Sequence, residues 1–244
     1  MSFWNSAIGA MIGFTLGGPI GALLGGVIGS RFGSRGKRSS FSTNQQHQVA
    51  FFTALFACLA KLAKADGIVS KEEIQAVDRF IKERFKFDSD QRKFAIEIFN
   101  HAKEDNNTYE DYAQQLSALL RNNKNALLVF YELLFELAMA DGVLHEKEEE
   151  LLRNTVHIFG IDPNIFENLK SQSLDSNLSP YSVLGVSEDM EFEEIKRIYR
   201  QKRKEFHPDA LISKGLPEEL IERAKEKFIE IQEAYEAIEK KRNQ

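Results

Sequence analysis

The chain opens on an uninterrupted apolar run. Residues 7–29, AIGAMIGFTLGGPIGALLGGVIG, hold Thr15 as their one polar side chain, and no Asp, Glu, Lys or Arg precedes Arg31. As a helix rising 1.5 Å per residue, such a run spans about 34 Å, enough for a hydrocarbon core of about 30 Å. The pattern predicts a single N-terminal transmembrane helix within residues 1–30. A cleaved signal peptide would want a basic leader, and residues 2–6, SFWNS, carry no charge. From about 47 to 170 the apolar positions recur at the spacing of a helical face: Val49, Phe52, Phe56, Leu59 and Ala63, then Phe94, Ile98 and Ala102, then Tyr109, Tyr112, Leu116 and Leu119, then Leu127, Tyr131, Leu134 and Ala138. No segment alternates convincingly with period two, and Pro163 is the one internal proline. An all-α bundle of about seven helices is expected there. After a polar linker at 171–178, residues 179–244 hold a short helical turn with Tyr181, Leu184 and Val186, then a helix over about 191–206 with Ile195, Ile198, Tyr199 and Phe206 on one face. Pro208 stops that helix, since proline cannot continue the ladder and disfavours helical geometry at the residue before it. A long helix over about 218–240 follows, with Ile221, Ala224, Phe228, Ile231, Tyr235 and Ile238 in line. The two stripes predict an antiparallel helical hairpin with an exposed loop at its tip.

Composition sharpens the first segment. Ten of the 15 glycines lie in the first 36 residues, and Gly9, Gly13, Gly17, Gly21, Gly25, Gly29 and Gly33 form an every-fourth-residue series. In lipid, small residues four apart let two helix backbones approach closely, so the series predicts a homodimer through the membrane segment. A plain span that merely tolerates Pro19, or a hairpin bent at GGPIG, are the alternatives; each arm of that hairpin would be too short to span. Arg31, Arg35, Lys37 and Arg38 follow at once and predict a single pass through a bacterial inner membrane, N-terminus periplasmic and bulk cytoplasmic. The basic linker 31–46 is also placed to touch anionic membrane lipid. Elsewhere the charge is mildly acidic: 32 Lys and Arg stand against 37 Asp and Glu, and 47–170 alone carries 15 basic and 21 acidic groups. That balance gives no electrostatic footprint for nucleic acid, which is excluded as a partner. A lone Cys58 rules out an internal disulfide and any Cys-x-x-Cys zinc or redox motif and fits a reducing compartment. It reads as a small buried filler, and His101 and His157, each without a histidine four residues on, read as surface or core residues.

The bundle contains a repeat. LAKADGIVSKEE at 62–73 matches LAMADGVLHEKE at 137–148, which puts Asp66 and Asp141 75 residues apart and a carboxylate seven residues after each, Glu73 and Glu148. Gly67 and Gly142 suit left-handed helix caps, and Ser70 with Glu73 makes a capping box that His145 weakens in the second copy. Asp66 and Asp141 lie near helix C-termini, where the macrodipole disfavours an anion and a compensating partner is needed. Backbone N–H groups of the next helix are one such partner. The other is a divalent cation: if the copies pack about a pseudo-twofold, Asp66, Glu73, Asp141 and Glu148 would converge as hard oxygen ligands for Ca²⁺, Mg²⁺ or Mn²⁺. This arrangement resembles the TerB family of tellurite-resistance-associated helical domains over about 120 residues. The resemblance implies an acidic, metal-binding surface at those four carboxylates, while nothing in the chain requires a cofactor.

The hairpin carries the sharpest signal. Lys196, Arg197, Arg200, Lys202, Arg203 and Lys204 put six cations in nine residues, leading into His207, Pro208 and Asp209. A one-sided basic patch beside a rigid loop predicts docking on an acidic protein surface. Tyr-x-Val-Leu-Gly-Val, a basic helix, His-Pro-Asp and a closing Ala-Tyr-Glu, in this order, resemble the J domain of DnaJ-type co-chaperones. The resemblance implies that His207, Pro208 and Asp209, with Lys196, Arg197, Arg200, Arg203 and Lys204, bind a DnaK-type chaperone ATPase and stimulate its hydrolysis of ATP. The chain itself would then be no enzyme but a regulator of its partner's. Lys202 stands where J domains usually have an apolar residue, and is expected to lay its stem along the hairpin with its charge in water. Ala210 stands where a lysine commonly follows the tripeptide. The order of segments, with KGLPEEL at 214–220, is similar to the DjlA type of membrane-anchored DnaJ-like co-chaperone. An envelope-stress or metal-sensing scaffold acting through the acidic bundle is the alternative function.

Overall fold

A computed structural model describes residues 11–12, 17–32, 38–39, 43–65, 67, 75, 77–79, 81–82, 85, 87–121, 123–139, 142–174, 179–207 and 218–242. It is all-α apart from a two-residue parallel pairing of β1 (Met11–Ile12) with β2 (Arg38–Ser39). Two compact units divide the chain, Met1–Ile161 and Asp162–Gln244.

The first unit is built around α2 (Thr43–Ala63). Its sequence has no charged residue from 43 to 60, and every residue from Val49 to Ala60 is buried. A helix that is apolar all round belongs in the middle of a bundle, and α2 is packed by α1 (Gly18–Phe32), α3 (Ser89–Glu104), α4 (Tyr109–Leu119), α5 (Lys124–Ala138) and α6 (Glu146–Phe159). The stripe Val49, Phe52, Phe56, Leu59 and Ala63 is therefore one of several buried faces: Phe51, Leu55 and Cys58 on the other sides are equally covered. Rings fill the centre, with Phe51 edge-on to Phe130 at 5.0 Å, Phe52 edge-on to Phe87 at 5.3 Å and Phe130 edge-on to Phe159 at 5.7 Å. Residues 75, 77–79, 81 and 82 are also helical. Short polar side chains start the outer helices. Asp88 Oδ1 accepts from the N–H of Gln91 while Gln91 Oε1 accepts from the N–H of Asp88, and Thr108 and Asp111 make the same reciprocal box on α4.

Among the described residues of the apolar run 7–29, helix begins at Gly18: Gly17 and Gly18 both have positive φ, 51° and 59°, and α1 is 15 residues long. At 1.5 Å per residue it extends about 22 Å. Among the described residues no helix is long and apolar enough to cross a membrane. Gly9, Gly13 and Gly33 of the glycine series lie outside the described residues.

The second unit holds α7 (Ile165–Leu174), α8 (Pro180–Leu184), α9 (Phe192–Glu205) and α10 (Glu218–Arg242). The spacing pattern assigns 162–170 to the bundle, yet α7 groups with the hairpin because its polar side chains reach α8: Gln172 Nε2 donates to the Ser182 carbonyl at 2.8 Å, and Asn168 lies beside Gly185. Ser179 caps α8, Pro180 fills its first turn, and Gly185 ends it in the left-handed region at φ 62°.

Candidate functional site

The hairpin presents the basic helix on a stacked aromatic seam. Tyr235 of α10 stacks on Tyr199 at 4.0 Å and on Phe192 at 6.1 Å, while Phe228, nearly two turns earlier on α10, meets Arg203 and His207 near the far end of α9. Partners thus run in opposite order along the two helices, which makes the hairpin antiparallel. Ile195, Phe206, Ala224, Ile231 and Ile238 are buried beneath the seam. Burial, then the hydrogen bond to Glu239, push the Tyr235 hydroxyl up to about 12. The last turn of α10 is tied back: Arg242 donates to the carbonyls of Glu188 and Met190 at 2.6 and 2.9 Å, Lys241 pairs with Glu188, and the Lys241 ammonium sits 5.5 Å from the Tyr181 ring.

On this frame the cations divide into two groups. Lys196 and Arg197, near the N-terminal end of α9, face Glu193 and Glu194 of their own helix at 3.9 and 3.4 Å. Further along, among the described residues, Arg200, Arg203 and Lys204 have no ion-pair partner, and all three are exposed. The Arg203 guanidinium lies 5.7 Å from the Phe228 ring, and the exposed His207 imidazole stands edge-on to that same ring at 5.6 Å. Uncompensated charge is thus concentrated in the last two turns of α9, next to the histidine. Pro208 and Asp209 lie outside the described residues. Lys202 is half-buried, and its Nζ comes within 3.6 Å of where a Cβ on Gly185 would stand, at the C-terminal end of α8. The lysine thus places its ammonium beside the C-terminal turn of α8, the end of a helix that favours a cation.

Of the four carboxylates in the repeat, Asp66, Glu73 and Asp141 lie outside the described residues. Glu148 accepts the N–H of His145 at 3.0 Å and so serves as the capping carboxylate of α6. Among the described residues no group of three His, Cys, Asp or Glu is placed to hold a metal ion. Cys58 is buried and burial pushes its thiol up, which leaves it protonated and unreactive. His101 and His157 are exposed on α3 and α6. Phe228 as the seat of both Arg203 and His207, and α7 as a brace on α8, are not signalled by spacing: each contact joins residues of different elements.

A capped turn, a basic helix ending at an exposed histidine and a long helix returning antiparallel define a J domain, the class of co-chaperone modules, and residues 179–244 match the DnaJ domain family. Residues 52–171 match the family described as tellurite resistance protein TerB, and residues 1–39 the family described as the co-chaperone DjlA transmembrane domain. The chain belongs to the DjlA co-chaperone family. It is 32% identical over 234 residues to the co-chaperone protein DjlA of Photobacterium profundum, covering 86% of this chain and 84% of that one. The co-chaperone protein DjlA of Coxiella burnetii is 31% identical over 269 residues, covering 100% and 99%, and that of Photorhabdus laumondii 29% identical over 265 residues, covering 98% and 92%. No solved structure matches the chain.

Proposed function

We propose that this DnaJ-like co-chaperone binds a DnaK-type chaperone through the His207-Pro208-Asp209 loop and the basic helix, and stimulates its ATP hydrolysis while anchored in a bacterial inner membrane. The observation that carries the reading is the strip of Arg200, Arg203 and Lys204, uncompensated among the described residues and leading into a histidine seated on Phe228. Cations already paired within their own helix gain little from a new partner, whereas exposed unpaired ones steer an acidic surface into register and raise the rate of encounter. Pro208 reduces the freedom the loop loses on docking, and Asp209 offers a carboxylate to a partner guanidinium. The chain performs no chemistry; its binding energy favours the hydrolysis-competent arrangement of the ATPase.

Arg31, Arg35, Lys37 and Arg38 support the orientation, with the two folded units in the cytoplasm where a DnaK-type partner and ATP are found. The glycine series Gly17, Gly21, Gly25 and Gly29, continuing Gly9 and Gly13, supports self-association of the segment in lipid. The docking surface is tested by charge reversal. Association of the full chain with a DnaK-type chaperone should slow about tenfold or more for Arg200→Glu with Lys204→Glu, and much less for Lys196→Glu with Arg197→Glu. Equal losses from the two pairs would contradict this placement of the surface.

A further inference from the structure

The first unit holds its own apolar segment in a way the membrane reading does not require. Ile20, Leu23, Leu24 and Val27 of α1, at the spacing of one helical face, are buried against α2, α3 and α4, while Ala22, Gly25 and Gly26 on the other side are exposed. The entry of α1 is fixed by a residue far along the chain. Gln115 of α4 accepts the Ile20 N–H through Oε1 at 2.8 Å and donates from Nε2 to the Gly17 carbonyl at 2.8 Å. An orphan donor of the first turn is thereby satisfied, and the carbonyl just before it, which already accepts the Gly21 N–H at 3.1 Å, gains a second donor from the same amide. The fit is close: a Cβ on Gly18 would stand 2.8 Å from Gln115 Oε1 and push the amide aside, and the positive φ of Gly18 favours glycine independently.

We infer that the bundle carries a docking groove on α2, α3 and α4 for the chain's own segment Gly18–Phe32, which covers Ile20, Leu23, Leu24 and Val27 in water and is vacated when the segment enters a bilayer. The inference rests on the membrane-anchored reading. The direction of exchange follows from what each environment covers. In the groove only one face is removed from water, and the opposite face of small residues stays wet; in lipid the whole circumference meets hydrocarbon. A bilayer wins where transfer of the whole apolar run outweighs uncovering the groove's own apolar lining, and where no bilayer is present the groove is the better place for four large aliphatic side chains. A newly made or extracted chain would therefore keep its anchor folded against itself.

Thiol reactivity reads both states in the full chain, because Cys58 is fully buried. Ala22→Cys and Leu24→Cys variants are translated without lipid, confirmed monomeric by light scattering, and labelled with a membrane-impermeant maleimide before and after addition of phosphatidylcholine vesicles, with flotation in parallel. Without lipid, Cys at 22 should react and Cys at 24 should be at least about tenfold slower, a tenfold ratio corresponding to a 1.4 kcal/mol opening. In vesicles both should be protected and the chain should float. Gln115→Ala should raise the lipid-free reactivity at 24 and leave the vesicle state unchanged. Equal reactivity at 22 and 24 without lipid, or no effect of Gln115→Ala, would overturn the groove. Failure to float, with 24 still protected, would instead refute the membrane reading on which the exchange depends.

Discussion

His207 and Arg203 share one wall, the ring of Phe228, and that arrangement bears directly on the proposed docking. An exposed cation over a ring is worth about 0.5–1 kcal/mol, and the edge-on imidazole gains a comparable restriction of its freedom. Phe228→Leu keeps an apolar side chain in the hairpin but removes the ring. It is expected to weaken binding of a DnaK-type partner by about two- to fivefold, read by surface-immobilised titration, with the helical signal of the hairpin unchanged. A second residue matters for stability. Burial would raise the Asp105 carboxyl, but hydrogen bonds from Lys61, Tyr112 and Asn107, with the Lys61 charge, together outweigh it and hold the group below the usual range. A depressed folded pKa stabilises fully above the unfolded value of about 3.9, and that contribution is lost as pH falls through the folded one. The stability gap between wild type and Asp105→Asn, measured by urea unfolding, should therefore be widest near neutrality and close as the pH drops below about 4.

At the level of elements, the C-terminal unit depends on how α8 is finished and braced. Gly185→Ala places a Cβ in the left-handed region and 3.3 Å from Asn168 Nδ2. A cost of about 1–2 kcal/mol follows from the backbone conformation alone. It should appear as faster hydrogen exchange across α8, and Gln172→Ala should do the same more weakly by leaving the Ser182 carbonyl with the Gly185 N–H alone. Helix content was readable in the spacing because 3,4 periodicity records burial of a face, and the antiparallel hairpin followed from two facing stripes and a proline between them. The central position of α2 was half-visible: the run from Val49 to Ala60 has no charge, but one stripe does not tell which helix the others surround. The grouping of α7 with α8, the seat of His207 on Phe228 and the grip of Gln115 on Gly17 and Ile20 were not readable, since each joins residues that local periodicity cannot relate.

Across the whole molecule, charge is distributed by task. Four cations follow the apolar run, the bundle is acidic by six charges, and the exposed cations of α9 are gathered beside the histidine. If docking is steered by that strip, association with the partner should slow markedly between 0.15 M and 1 M salt, as the screening length falls from about 8 to about 3 Å, with dissociation changing little. Stopped-flow mixing at several ionic strengths measures this, and a salt-independent association rate would argue for an apolar docking face. The claim that organises all of these is that the J domain turns a partner's ATPase on. Single-turnover hydrolysis of ATP by a DnaK-type chaperone, with the full chain in lipid vesicles, tests it most directly. Acceleration by wild type that His207→Gln abolishes is the predicted result; no acceleration by wild type, or equal acceleration by His207→Gln, would contradict the account.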